Sequence, residues 1–420
     1  MIAEQPIPKH EPSKKAGEKL LLIVLAAIQF TVIVDFLIIM PLGPQYMRVF
    51  GITPGQFGLI VSSYAISAGI SGLVAGFILD RYDRRRALLW LYAGFTIGTL
   101  CCALAPSYYL LIAARAVAGA FGGVAGALIL AVIGDAIPEQ RRGAAIGLVM
   151  SSFSVASICG VPLGLLLATN LNWHIPFLVL AALSGLVWLG AARALPSMRG
   201  HMHHASSDSE ASRMAALLKE PHHQAAFLFM AVLTITGFII FPYISNYLVG
   251  NVGVTEKQLP LIYLFGGLST FFTMNWIGRW ADRAGKPYVF TRMSLLATIP
   301  ILLVTNLPPV PLAVAIGVST LLMVCMSGRM VPAMAMMTAS VEARYRGGFM
   351  SLNSSVQQFS SGVAAFVSGQ ILGQLPGGQL THFPVVGGIS LCLALVCLGL
   401  AKFLRPAAAT VSSPAVAAEA

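Results

Sequence analysis

The sequence predicts an all-α integral membrane protein of twelve transmembrane helices, arranged as two pseudo-symmetric six-helix bundles. Three observations carry this: the composition, an unbroken succession of apolar runs, and polar motifs that recur at nearly one spacing. Of 420 residues, 57% are hydrophobic and only 10% charged, against roughly 25% charged in a soluble domain. Mean hydropathy is +0.81. Runs of about 20 apolar residues, long enough to cross a hydrocarbon core of roughly 30 Å, follow one another from Leu20 to Leu404.

In chain order, a tail over 1–19 precedes the first bundle, 20–195, with spans at 20–43, 57–79, 87–105, 108–135, 144–169 and 173–195. A polar linker, 196–223, leads to the second bundle, 224–404, with spans at 224–249, 259–281, 288–306, 311–338, 348–373 and 382–404. Residues 405–420 form a second tail. The lysines ahead of the first run resemble a secretory leader, but the run is too long and no small-residue cleavage site follows, so it reads as the first span.

Basic residues near span ends are retained on the cytoplasmic side. With both termini cytoplasmic, the inner segments hold Lys14, Lys15, Lys19, Arg81, Arg84, Arg85, Arg86, Arg141, Arg142, Arg279, Arg283, Arg344 and Arg346 among others, and the outer loops hold only Arg48 and Lys257. This asymmetry supports an even number of spans with both termini inside; the chain is expected in the plasma (inner) membrane, with lipid as its surroundings. It also accounts for the net charge of +11 without a nucleic-acid partner.

The six cysteines all fall in apolar runs with no Cys-x-x-Cys pair, so neither a disulfide framework nor a zinc site is expected. The linker histidines His201, His203 and His204 lack partner ligands at defined spacing and read as a solvated segment. Residues 212–219 have the pattern of a short amphipathic helix on the membrane surface. No metal, cofactor or enzymatic constellation emerges: there is no nucleotide-binding loop and no nucleophile with a paired base.

The halves repeat. Gly76-Phe-Ile-Leu-Asp80-Arg81-Tyr-Asp83-Arg84-Arg85 follows the second span, and Gly278-Arg-Trp-Ala-Asp282-Arg283-Ala-Gly285-Lys286 follows the eighth, 202 residues later. The pairs Arg142-Gly143 and Arg346-Gly347 lie 204 residues apart. Internal repeats of this kind mark a transporter with its site between the halves.

On these motifs the chain resembles the major facilitator superfamily, and within it the twelve-span drug:proton antiporter branch. The loop signature G-x-x-x-D-R-x-G-R-R corresponds to Gly76, Asp80, Arg81, Arg84 and Arg85, with Asp83 in place of the family glycine, where Asp tolerates a tight turn. The resemblance implies a gating role for this loop and for its copy at Gly278, Asp282, Arg283 and Gly285. Asp80 is expected to meet the positive helix end near Gly348. The glycine-rich fifth span of the antiporter branch is matched in part by Gly147, Gly160, Pro162 and Gly164. Small residues that merely let helices approach would give the same pattern.

An ionisable group at membrane depth costs at least about 2.5 to 3.5 kcal/mol and calls for a partner or a task. Asp35, nine residues from Pro44, and Arg115, nine from Pro106, are each expected roughly 13 Å below the outer surface, at one level and facing a shared cavity. In the family, an acid of the first span and the arginine of R-x-x-x-G in the fourth, here Arg115 to Gly119, are implicated in proton coupling. Asp35 is the candidate proton carrier; a permanent structural ion pair is the alternative. Arg329 in the tenth span, three residues before Pro332, has no carboxylate at its depth. It either satisfies carbonyls freed by the proline or faces the cavity.

Cavity candidates are Gln29, Phe30, Phe238, Tyr243, Asn246, Tyr247, Tyr263, Asn275, Gln357 and Gln358, a set that suits amphipathic organic molecules. One acid against two arginines favours neutral or anionic solutes. The expected activity is proton-coupled export of a small organic molecule by a monomer, by alternating access. A sugar or metabolite exporter, or a proton symporter of the same fold, is the alternative.

Overall fold

The structure, a computed structural model, describes residues 12–78, 82–195, 217–342 and 345–404. Asp80, Arg81, Arg344, the linker histidines, residues 1–11 of the first tail and the second tail lie outside the described residues; residues 12–19, expected as tail, are the first turns of α1.

Eleven helical segments among these residues are long and apolar enough to cross a membrane. In the first half the helices are α1 (Pro12–Ile38), α2 (Gly43–Phe50), α3 (Pro54–Ile78), α4 (Arg84–Leu104), α5 (Tyr108–Ala136), α6 (Glu139–Val155), α7 (Val161–Asn170) and α8 (His174–Ala194). In the second they are α9 (Pro221–Phe238), α10 (Ile244–Tyr247), α11 (Leu259–Ala284), α12 (Lys286–Thr305), α13 (Leu312–Ala339), α14 (Arg346–Ile371) and α15 (Phe383–Ala401). Helix α14 occupies the eleventh predicted span and has the right length, but Asn353, Ser354, Ser355, Gln357, Gln358, Ser360 and Ser361 make it too polar to qualify on composition. It lies lengthwise against α3 and also packs on α9, so protein rather than lipid receives its polar face.

Prolines break three of the predicted spans. The first stops at Ile38 instead of running to 43; the chain turns through Pro41 and re-forms as α2, which buries Gln45, Tyr46 and Met47 and exposes Arg48 and Val49. In the fifth, Pro162 has no N–H to offer the carbonyl four residues back. A π turn at Ala156–Gly160 absorbs the defect, and the Val161 N–H bonds the Ala156 carbonyl. The seventh ends at Phe238, turns at Phe241–Tyr243 around Pro242, and resumes through α10 and a π turn at Leu248–Val252. A small hairpin pairs Gly373 with Thr381 and Gln374 with Leu380 before the last helix.

The internal repeat reaches down to single contacts. Arg142 Nε donates to the Ile137 carbonyl at 2.9 Å and Arg346 Nε to the Val341 carbonyl at 3.4 Å; donors and acceptors alike are 204 positions apart.

The start of α1 and the end of α15 share one face, called here the terminal face. On the opposite, far face, one apolar core joins both halves: Ile38, Met40, Leu42, Tyr46 and Phe57 of the first pack with Ile239, Tyr243, Ile244, Leu248 and Phe383 of the second. Toward the terminal face the core divides. One cluster of first-half residues gathers around Leu25, Tyr92 and Leu128, and another of second-half residues around Phe229, Phe290 and Phe349. The two halves therefore share one core at the far face; below it their cores are distinct, and contact between the halves continues along α3 with α14 and along α7 with α11.

Candidate functional site

Asp35 on α1 and Arg115 on α5 meet in the interior of the first half. Arg115 Nη1 donates to Asp35 Oδ2 at 2.6 Å and to the Asp35 backbone carbonyl at 3.2 Å. Thr99 of α4 donates to Asp35 Oδ1 at 3.1 Å. Both charged side chains are fully buried, so the pair is enclosed among α1, α3, α4 and α5 and does not face an open cavity as expected. The guanidinium lies over the Tyr64 ring, 4.4 Å from its centroid. Nε and Nη2 of Arg115 have no hydrogen-bond acceptor, and the ring face is their compensation.

The glycine of R-x-x-x-G has a steric task here. A Cβ at Gly119 would stand 2.2 Å from the Tyr64 carbonyl oxygen and 2.7 Å from its Cα, so only glycine lets α3 approach closely enough to put this ring beneath the arginine one turn away.

Arg329 is also buried, at 2% exposure. Its Nη2 makes one long contact, 3.5 Å, to the Leu233 carbonyl of α9, and Nε and Nη1 have no partner. The acceptor lies on another helix, so the arginine is not satisfying the turn loosened by Pro332. Nor does it lie open to a cavity in this conformation, because it is packed among α9, α13 and the Cys397 region of α15.

Three cavity candidates belong instead to the far-face seal. Tyr243, fully buried, shares its hydroxyl proton between the Pro54 carbonyl of the first half at 3.1 Å and the Ala365 carbonyl of the second at 2.9 Å. Asn246 donates to Met47 Sδ at 2.6 Å and presses on Gly43, where a Cβ would meet its Oδ1 at 2.1 Å. Tyr247 bonds the Leu307 carbonyl at 3.1 Å and stacks near Phe383. Apolar side chains and these aromatic clamps fill the region that spacing alone assigned to a cavity. Outside them, Arg48 pairs with Glu256, joining the halves at the far surface.

Gln29, Phe238, Tyr263, Gln357 and Gln358 are half-buried. Tyr263 bonds Ser245 at 2.8 Å, and the buried Gln29 Oε1 has no partner. Phe30 lies beside Gly160. Asn275 is exposed and bonds the Phe271 carbonyl of its own helix, which corrects its assignment to the cavity.

In the loop motif, Asp83 caps α4 by accepting from the Arg85 N–H at 3.1 Å, with φ −57°. The turn is thus made without left-handed backbone, whereas its counterpart Gly285 sits at φ +95°. Arg84 bonds Asp135 at 3.3 Å, and Arg85 bonds the Ala192 carbonyl at the end of α8 at 2.6 Å. These contacts of Arg84 and Arg85 lie within the first half. Asp282 and Arg283 are exposed, and Gly76 and Gly278 are half-buried in their helices. In the glycine-rich span, a Cβ at Gly160 would meet Val34 at 2.3 Å and one at Gly164 would meet Ile38 at 2.0 Å. Pro162 starts α7. Nothing lies within 4 Å of a Cβ at Gly147, so close packing explains two of the three glycines.

Sequence reasoning missed Tyr64, Thr99 and Glu256. Glu256 had a signal: it is the acidic residue of the far-face loops, opposite one of their two basic residues. Tyr64 and Thr99 lie inside apolar runs and had none.

The sequence profile of the Major Facilitator Superfamily matches residues 25–328 and 226–420. The inner membrane transport protein YdhP of Escherichia coli (strain K12) is 26% identical over 365 residues, covering 83% of this chain and 87% of its own. A chloramphenicol resistance protein of Streptomyces lividans is 25% identical over 240 residues, covering 57% of this chain and 61% of its own. Among solved structures, a bacterial homologue of the human lysosomal transporter Spinster aligns with a TM-score of 0.69 at 16% identity, covering 94% of this chain and 95% of its own. Two repeated bundles, a polar eleventh span held inside them and a family match that spans nearly the whole chain agree: this multi-pass membrane protein belongs to the Major Facilitator Superfamily, a family of non-enzymatic transporters.

Proposed function

We propose that the protein exports a small, uncharged amphipathic organic molecule in exchange for protons, with Asp35 as the proton carrier. The observation that carries this reading is the Asp35–Arg115 pair at 2.6 Å, fully buried among the helices of the first half. A permanent buried ion pair contributes little net stability, and a dry site for two charges is costly unless their charge state is used. Burial opposes a charged carboxylate and the guanidinium supports it, so proton uptake by Asp35 and separation of the pair favour one another.

The substrate class follows from charge and shape. Arg115 is neutralised by Asp35, Arg329 has no counter-charge, and Gln29, Phe238, Gln357 and Gln358 are half-buried, three amides and an aromatic ring that keep part of their surface exposed. Nothing there attracts a cation. The similarity to a chloramphenicol resistance protein makes chloramphenicol, an uncharged aromatic amphiphile, the first probe. The terminal face carries most of the basic residues and is cytoplasmic on this reading, and the protein acts as a monomer in the plasma membrane. The loop of Gly76 to Arg85 and its copy at Gly278 to Gly285 serve as the gate on that face.

The hydroxyl- and amide-rich face of α14 favours, as a second reading, a sugar or comparable metabolite. Liposomes with a trapped pH dye separate these. Chloramphenicol, then a sugar panel, is added under an imposed pH gradient to wild type and Asp35→Asn. Chloramphenicol-evoked proton flux opposite in direction to the solute, and absent in the variant, is expected. Undiminished flux in Asp35→Asn would remove the carrier role, and flux in the same direction as the solute would make the protein a symporter.

A further inference from the structure

The Asp35–Arg115 pair is sealed, yet transport requires that solute in the cavity be felt there. A chain of rings bridges the gap. Tyr64 is fully buried with Arg115 over its face at 4.4 Å. Its centroid is 5.4 Å from that of Phe36, and Phe36 is 5.9 Å from Phe238 of the second half. Phe238 in turn lies 6.2 Å from Phe241. These separations are those of aromatic pairs in contact.

The position of each ring matters. Phe36 is the neighbour of Asp35 in the chain, half-buried, and packs against both the shared far-face core and the first-half core. It therefore stands where the common core divides. Phe238 is the last residue of α9, at the point where the seventh span breaks, and it too is half-buried. Both pack against the core shared by the halves and yet keep part of their surface exposed.

Tyr64 is not held for its hydroxyl, which has no hydrogen-bond partner although buried. What is built around it is space for the ring: Gly119 admits its backbone, and a Cβ at Gly122 would stand 2.7 Å from its hydroxyl. Arg115 has three supports: the carboxylate, the Asp35 backbone carbonyl at 3.2 Å and this ring. When Asp35 is neutral, the ring and that one carbonyl remain to hold the cation in place.

We infer that Tyr64 is the positioning residue of the coupling pair: it holds Arg115 against Asp35, and through Phe36 and Phe238 it transmits the arrival of solute between the halves to that pair. This deepens the proposed proton exchange and rests on Asp35 being the carrier. The other groups close enough to act on Asp35 are Cys102 and Thr99 of α4 and Tyr46 of α2, and none of them touches the ring chain from Phe36 to Phe238 among the ring contacts described.

The test needs no substrate. Dicyclohexylcarbodiimide attacks protonated carboxyl groups in apolar surroundings, and peptide mass spectrometry reads its modification of Asp35 as a function of pH in the purified full chain. Tyr64→Phe keeps the ring and is expected to leave the midpoint of this profile where wild type has it. Tyr64→Leu removes the ring and is expected to displace the midpoint by at least about one unit, a tenfold change in protonation at fixed pH. Phe36→Leu, at a half-buried site that tolerates the change if Tyr64→Leu does not fold, is expected to displace it in the same direction by less. Coincident midpoints in the folded ring-deleting variants and wild type would overturn the inference. If instead Asp35→Asn left chloramphenicol-evoked proton flux intact, the carrier reading would fail on its own, whatever Tyr64 does to the profile.

Discussion

Glu256 lies across the far-face mouth from Arg48, and each of its carboxylate oxygens accepts from a different nitrogen of that guanidinium. The residues are 208 positions apart and belong to different halves, so the ion pair exists only while the far face is closed. Exposed pairs contribute about 0.2 to 1 kcal/mol, and Arg48 is 65% exposed.

Glu256→Gln is therefore expected to raise the population open at the far face by between about 1.4-fold and 5-fold. The measurement is the labelling rate of Leu42→Cys, a buried seal position, by an impermeant maleimide in a background without native cysteines. High salt should raise this rate in the parent and hardly in Glu256→Gln, because screening acts on the pair. The sign of the alkaline limb is fixed as well. Hydrogen bonding to Glu256 holds the Arg48 guanidinium above its ordinary value, so its contribution is complete at neutral pH and disappears only as pH rises through that elevated range.

Beneath this pair, Tyr243 and two glycines form a tighter contact. A Cβ at Gly58 would lie 2.5 Å from the Tyr243 hydroxyl and 2.9 Å from the Ala365 carbonyl; one at Gly369 would lie 2.4 Å from the same hydroxyl and 2.8 Å from the Pro54 carbonyl. Backbone cannot move aside as a side chain does. Gly58→Ala is expected to cost about 1 to 3 kcal/mol by overpacking and Tyr243→Phe about 1 kcal/mol by loss of its shared hydrogen bond. Melting temperatures in detergent should fall in that order, and equal losses would mean that the seal is soft.

Arg329 tests the opposite expectation. A buried cation whose single contact is 3.5 Å long is expensive to fold. Arg329→Met should melt no lower than wild type, and above it by a few degrees, while solute-evoked proton flux falls at least about tenfold, a loss of 1.4 kcal/mol in the transport step. A destabilised variant with normal flux would make the arginine a structural residue.

The fold was legible because its signals are long-range repetitions of simple chemistry: apolar runs of bilayer length, basic residues confined to alternate loops, and motifs at 202 and 204 residues. The same arithmetic brought Asp35 and Arg115 to one depth, and they do meet. It could not show that they are walled off, because enclosure depends on rotation of α1 and α5 about their axes and on Thr99 and Tyr64, which look like any residues of an apolar run. Tyr243 and Asn246 were misplaced for a related reason. Polar groups in mid-span satisfy a seal as readily as a cavity, and only Pro242, which bends the chain there, decides between them. Asp83 was the more tractable case: a capping aspartate needs no left-handed turn, so its replacement of glycine removes a requirement instead of straining the loop.

The glycine-rich fifth span separates packing from motion. A Cβ at Gly160 would stand 2.3 Å from Val34 Cγ2, and valine, branched at Cβ, has few rotamers with which to retreat. Gly160→Ala should therefore push α1 away beside Asp35 and cost about 1 to 3 kcal/mol. Gly147 has open space around it and is exposed in a continuous helix, where alanine is favoured over glycine by up to about 1 kcal/mol. Gly147→Ala is expected to raise the melting temperature slightly. Should it nevertheless slow proton-coupled chloramphenicol movement, the glycine is retained for bending during the transport cycle; unchanged movement would leave Gly160 and Gly164, which fix the distance from α1 to α7, as the part of this span that matters to the Asp35 pair.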